Sequence, residues 1–231
     1  MLNNFEKISK EIDLFLENSD SLIIFGIGND IRGDDGLGPY IINQLSLLRE
    51  YVLNNLNSDD ISRETYKNKL KYQDNEFEFF DNVNDINTGN TPLDEALDSY
   101  IIELNVDVDE SKVKRLSKTF FINGGSVPEN FTGLIKKINP SHIILIDASL
   151  MNKEAGEINI VNKDNIVDIS ISTHSMSLAY LIKYLEMEKD YNILFIGIEP
   201  EIMDLSFELS PKIKDASDML IRLLFNKILE V

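Results

Sequence analysis

Three residues of this 231-residue chain combine reactive chemistry with placement at the ends of segments that read as regular structure: Asp35, Asp147 and His174. Two carboxylates and one imidazole, in a chain without cysteine, make an oxygen and nitrogen donor set suited to a hard-to-borderline divalent metal ion. Three protein ligands would leave coordination positions open for water or a substrate group. Ligand bonds of about 2.0–2.2 Å require the three side chains to converge. Taken singly, each residue has a plainer reading. Asp35 suits a solvated turn or a helix N-cap, Asp147 a hydrogen bond to a loop, and His174, beside Ser172 and Thr173, a helix start. Their joint occurrence at predicted strand ends and a helix start sets a shared site beside these structural readings as an equal alternative, and the residues alone do not choose among hydrolase, metal carrier and binding module.

Asp35 belongs to LIIFGIGNDIRGDDGLGP, residues 22–39. Leu22 to Phe25, with Ile27 beyond, read as a buried strand that leads through a glycine-rich turn into a helix. Gly28 and Gly33 have the spacing of a phosphate loop, yet Asp34 and Asp35 stand where Lys and Ser or Thr would meet phosphate and magnesium. The dinucleotide pattern fails as well, because Ile31 occupies the place of its third glycine. Nucleotide binding is disfavoured, and a metal or proton-transfer role suits the acidic turn better. Asp34 is expected to cap the helix or orient Asp35. Adjacent residues on a turn point apart, so the two do not form a pepsin-like pair.

The elements that must position these residues follow from periodicity. Leu2, Phe5, Ile8, Ile12, Phe15 and Leu16 predict an amphipathic N-terminal helix. A crossover helix is expected over 36–53, a short strand over 118–122 and a short helix over 131–138. The 118–122 strand runs into Asn123-Gly124-Gly125-Ser126, a second glycine turn that either admits a substrate backbone or is simply tight. HIILI, residues 142–146, reads as a central parallel strand ending at Asp147. His142, at the start of that strand, is expected to be exposed at the opposite edge, with no role. Further strands are expected over 156–161, in part as an antiparallel edge, and over 193–198. Helices are expected from Met176 to Leu185 and from Pro211 to Leu229. Alternating strands and helices predict an α/β fold: a twisted, mostly parallel sheet covered by helices on both faces, with ligands met at the carboxyl ends of the strands.

Composition bounds the partners. The net charge of −18 argues against nucleic acid and anionic membrane surfaces. No apolar run approaches the roughly 20 residues of a membrane span, and the first 20 residues do not read as a secretory signal. The expected location is cytoplasmic. A single domain, 1–231, is the simplest count. Within it, residues 54–111 hold 15 Asp plus Glu against 4 Lys plus Arg, which accounts for −11 of the −18. This Asn- and Asp-rich stretch reads as an acidic insertion after the first crossover helix, with weaker helical signals at 62–72 and 93–104. Enlarging a connection of about 10 residues by about 60 costs only about 1.6 kcal/mol of closure entropy.

The motifs together resemble the hydrogenase maturation proteases, endopeptidases that trim the C-terminus of nickel-iron hydrogenase large-subunit precursors. The resemblance is to the branch serving the formate-hydrogenlyase hydrogenase and its archaeal relatives. It rests on GIGNDIRGDDGLGP (26–39), NGGSVPENF (123–131), LIDASLMNKEAGEI (145–158), STHSMSLAYLI (172–182), FIGIEP and SPKIKDA, in order and spacing. The resemblance implies that Asp35, Asp147 and His174 are both the metal contacts and the catalytic residues. It also implies that the metal is nickel carried by the precursor, which is the expected partner. Asn123 departs from the family, whose members often have Asp there, and the 54–111 insertion has no counterpart in its short members. The competing expectation is a maturation factor that binds nickel or precursor without cutting it.

Overall fold

The computed structural model describes residues 2–54, 110–162, 178–187 and 189–230. Five strands form one sheet in the order β2-β1-β3-β5-β4. These are β1 (Leu22–Ile27), β2 (Thr119–Gly125), β3 (His142–Ala148), β4 (Ile158–Asn162) and β5 (Asn192–Ile198). The first four strands in that order run parallel, and β4 closes one edge antiparallel to β5. The fold is therefore the expected mostly parallel α/β sheet, down to the antiparallel edge.

The described helices are α1 (Leu2–Leu16), α2 (Leu37–Asn54), α3 (Glu110–Leu116), α4 (Thr132–Ile138), α5 (Leu178–Glu186) and α6 (Pro211–Glu230). Strand alternation sorts the core into two layers. Leu22 and Ile24 of β1, with Ile144 and Ile146 of β3, lie under Ile8, Ile12 and Leu16 of α1 and the apolar stripes of α2 and α6. Ile23, Phe25, Ile143, Leu145 and Phe195 face the other way, toward Ile135 of α4 and Leu181, Ile182 and Leu185 of α5. Each strand of the sheet's centre is apolar on both faces because both faces are covered: all six residues of β1 and all seven of β3 are buried. Continuous apolar runs mark such strands, which is why HIILI was legible as central.

Two expectations need correction or restriction. His142 is not exposed; it is only 6% accessible, edge-on to the Phe15 ring at 4.9 Å between centroids. Docking of α1 across that end of the sheet removes it from water, a tertiary effect that strand position alone does not reveal. Of the 54–111 stretch, Asn54 ends α2 while Glu110 and Ser111 open α3; the rest, including the helical signals at 62–72 and 93–104, lies outside the described residues.

Candidate active site

The glycine-rich turn after β1 tightens into a 3₁₀ turn, Gly33–Gly36, that runs directly into α2. All four of its residues are buried, both aspartates included. The glycines around it serve close backbone packing. A Cβ on Gly26 would lie 2.3 Å from the carbonyl oxygen of Gly38, and one on Gly28 would lie 1.8 Å from that of Asp35. The first turn of α2 thus sits directly against β1, and Asp35 is drawn over the strand's end. Space beside these glycines is already filled by the chain's own backbone, so they do not hold room open for a substrate strand. In the second glycine turn Gly124 is packed close, where a Cβ would strike the Phe25 ring at 2.5 Å, while Gly125 adjoins open space.

Asp35 and Asp147 lie at the carboxyl ends of neighbouring strands. In the β1–β3 register Gly26 pairs with Ile146, so Asp147 stands one step beyond, level with the start of the turn. The 3₁₀ turn packs against β3. Asp35 is 1% and Asp147 2% accessible. Alternation along β3 puts Asp147 on the face of Ile143 and Leu145, the face covered by α4 and α5. His174 lies outside the described residues. What is described is the helix four residues further on. α5 begins at Leu178 on the same face as Asp147, and its short link to β5 runs it antiparallel to that strand, so its first turn lies toward the carboxyl edge. Among the described residues no group of three His, Cys, Asp or Glu side chains is gathered closely enough to hold a metal ion. Asp35 and Asp147 are therefore the two members of the predicted triad that the structure locates.

Asp34, expected as a cap or an orienting group, does something different. Its carboxylate reaches across to the loop between β5 and α6. Oδ2 accepts from the backbone N–H of Glu201 (2.8 Å) and Ile202 (2.7 Å) and from the Ser210 hydroxyl (3.0 Å), and Oδ1 accepts from the Ser210 N–H (2.7 Å). The two backbones also join directly. The Gly33 N–H donates to Ser206 O (2.8 Å), Asp34 N–H to Ile202 O (2.9 Å) and Ser206 N–H to Ile31 O (3.1 Å). Glu199, at the end of β5, plays the matching part for the loop after β3: its Oε2 accepts from Met151 N–H (2.6 Å) and Lys153 N–H (3.2 Å). Buried carboxylates that accept from several backbone donors make rigid ties, since losing one strands several N–H groups. Sequence reasoning missed both ties, because their partners lie 46 to 176 residues away.

Two buried carboxylates thus stand at the carboxyl edge of a parallel sheet, the edge at which α/β folds commonly meet their ligands. The family model described as hydrogenase maturation protease (HycI) matches residues 103–227. The chain belongs to the hydrogenase maturation protease family. A protein of Methanocaldococcus jannaschii, named "Putative hydrogenase maturation protease", is 29% identical over 216 residues, 94% of this chain and 93% of that one. The hydrogenase 3 maturation protease of Escherichia coli K12 is 38% identical over 96 residues, 41% of this chain and 61% of the relative. In fold, the chain is similar to the crystal structure of the [NiFe] hydrogenase maturation protease HycI of Thermococcus kodakarensis KOD1. The TM-score is 0.60, with 19% identity over 94% of this chain and 98% of that one. The solution structure of the endopeptidase HycI of Escherichia coli gives a TM-score of 0.53 at 22% identity, covering 87% and 86% of the two chains.

Proposed function

We propose that this enzyme removes a C-terminal extension from the precursor of a nickel-iron hydrogenase large subunit, and does so after nickel has been inserted into that precursor. The observation that carries the reading is the burial of Asp35 and Asp147 at the ends of adjacent parallel strands in a chain of this family. Buried carboxylates favour cationic or donating partners. A divalent ion presented by a substrate is such a partner, and oxygen ligands of this kind suit nickel in a transient complex. Asp35, Asp147 and His174 are the proposed ligands and the proposed catalytic residues.

In this reading the protein's side chains bind and orient. Asp35, Asp147 and His174 would hold the precursor's ion. The ion supplies Lewis acidity toward the scissile carbonyl or a water molecule. A carboxylate at the same edge takes the proton of the attacking water. The ties from Asp34 and Glu199 keep the surrounding loops fixed, so little reorganisation is needed when the precursor docks. In this reading a precursor without nickel lacks the ion that these residues hold, and is passed over.

The test is a gel comparison of nickel-loaded and nickel-free precursor, each with and without the protein. The expected result is a shortened large subunit only in the nickel-loaded reaction that contains the protein. Equal cutting of both precursors would refute the nickel requirement. Binding without any change in length would favour a non-catalytic maturation factor.

A further inference from the structure

Six exposed large apolar side chains stand on the loops that leave the carboxyl edge: Ile31, Val127, Leu150, Ile202, Leu205 and Phe207. The two most prominent are Leu205 and Phe207, 80% and 82% accessible. They flank Ser206, whose N–H and C=O are both engaged with the turn after β1 in a parallel bridge between Arg32 and Ser206. With the intervening residue pinned in this way, Leu205 and Phe207 stand two residues apart on a fixed backbone. The loop is further held by Arg32, whose guanidinium donates to Met203 O (3.3 Å), and by the Ser206 hydroxyl, which accepts from Glu208 N–H (3.1 Å). The strongest attachment is the Asp34 carboxylate described above, one residue from Asp35.

An ordered loop that exposes a leucine and a phenylalanine gains nothing within the monomer. Water contact of such side chains is unfavourable, at about 25 cal/mol for each Å² of apolar surface left unburied. Rigid apolar anchors are instead what a protein interface uses, since little conformational entropy remains to be lost on binding. Acidic residues border the anchors: Asp204 and Glu208 are exposed on the same loop, beside Glu201, which is paired with Lys212 at 3.5 Å. That border, on a chain of net charge −18, opposes an anionic lipid surface and calls for cations on the partner. A second copy of this chain would bring the same acidic border to the contact, and a copy seated on these loops would cover Asp35 and Asp147.

We infer that Leu205 and Phe207 form a docking anchor for the folded body of the hydrogenase precursor, inserting into an apolar pocket whose rim carries basic residues. This inference rests on the protease reading above and adds the surface by which the substrate is recognised. Because Asp34 joins the anchor's loop to the turn that bears Asp35, capture of the precursor's body fixes its position relative to the carboxylates. Recognition and cleavage then share one rigid unit, and remote binding energy aligns the scissile bond.

The experiment uses the full chain with nickel-loaded precursor, measuring binding and cleavage separately. Leu205→Ser with Phe207→Ser should raise both the precursor Kd and the KM by about tenfold or more, with kcat held within about twofold. Asp204→Lys with Glu208→Lys should raise KM as well, through repulsion of the basic rim. Thermal unfolding of both double variants should match that of the parent, as the replaced side chains are exposed. Unchanged Kd and KM in the apolar double variant would overturn the docking anchor while leaving the protease reading intact. A parent that binds precursor through these residues but leaves it uncut would overturn the protease reading while leaving the anchor. A parent that does not bind precursor, one whose self-association disappears in the double variant, or one that loses binding to phosphatidylserine vesicles in that variant, would each overturn the proposed occupant.

Discussion

Asp34 and Ser210 are joined twice: the Ser210 N–H donates to Asp34 Oδ1 at 2.7 Å and its hydroxyl to Oδ2 at 3.0 Å, across 176 positions of sequence. Ser210 immediately precedes Pro211, the first residue of α6, so this pair anchors the start of the C-terminal helix to the turn that carries Asp35. Two neighbouring aspartates thereby stand in different places: Asp34 ties the turn to the loop before α6, and Asp35 lies at the edge shared with Asp147.

Replacing Asp34 tests this division. In Asp34→Ala the buried N–H of Ser210 and the part-buried N–H groups of Glu201 and Ile202 lose their acceptor, and the fold should lose about 2–4 kcal/mol. Ser210→Ala removes only one of the four bonds and should cost about 1 kcal/mol. Denaturant titration of the two variants checks the order. Equal stability of Asp34→Ala and the parent would mean that the tie contributes nothing.

The contact between the first turn of α2 and β1 gives a second prediction. A methyl group on Gly26 would meet Gly38 O at 2.3 Å, Gly38 C at 2.6 Å and Ile42 Cγ1 at 2.6 Å, so helix and strand would have to separate. Overpacking of this kind costs about 1–3 kcal/mol. Since the displaced helix carries the aspartate turn, Gly26→Ala should also lower precursor cleavage by more than its loss of stability explains. Unfolding midpoints and initial cleavage rates, measured on the same preparation at a temperature where the variant is folded, decide it.

His142 supplies a pH dependence. Burial pushes its pKa below the ordinary value of 6.5, with the nearby Asp20 charge pulling it back part of the way. Above pH 6.5 the ring is neutral in both folded and unfolded chains, so it imposes no penalty. As pH falls below that value, the unfolded chain takes a proton that the folded chain resists, and stability declines until the folded-state pKa is reached. The slope is about 1.4 kcal/mol for each pH unit over which only the unfolded chain is protonated. His142→Gln should flatten this part of the profile. A series of denaturant titrations from neutral to mildly acid pH, on parent and variant, measures the difference.

The sheet was legible because its signals are local. HIILI and ILFIGI are continuous apolar runs, and GIGNDIRGDDGLGP punctuates the first β–α passage within a few residues. The placement of Asp35 and Asp147 at the carboxyl edge was legible for the same reason: Asp147 directly follows HIILI, and Asp35 lies in the turn that follows the first strand. The burial of His142 and the attachments of Asp34 and Glu199 were not, because each depends on a segment remote in sequence. α1 covers His142 from more than a hundred residues away, and the loop that Asp34 receives follows the last strand. Nor does composition betray the Leu205–Phe207 anchor, since exposed and buried hydrophobes look alike until the chain is folded.

The proposed ligand set predicts a characteristic pattern among its own variants. Asp35→Asn and Asp147→Asn keep side-chain volume while removing a negative charge from a buried place, so neither should unfold the protein. Each should reduce cleavage of nickel-loaded precursor by about a hundredfold or more if both carboxylates hold the same ion. Groups that act on one centre are not additive, so the double variant should be scarcely slower than the worse single one. Adding His174→Gln to that double variant should change the rate little further. Single-turnover rates for the series, with circular dichroism to confirm folding, give the comparison. Multiplicative losses across the series would mean that the three residues act at separate places, and the shared-ion reading would have to be abandoned.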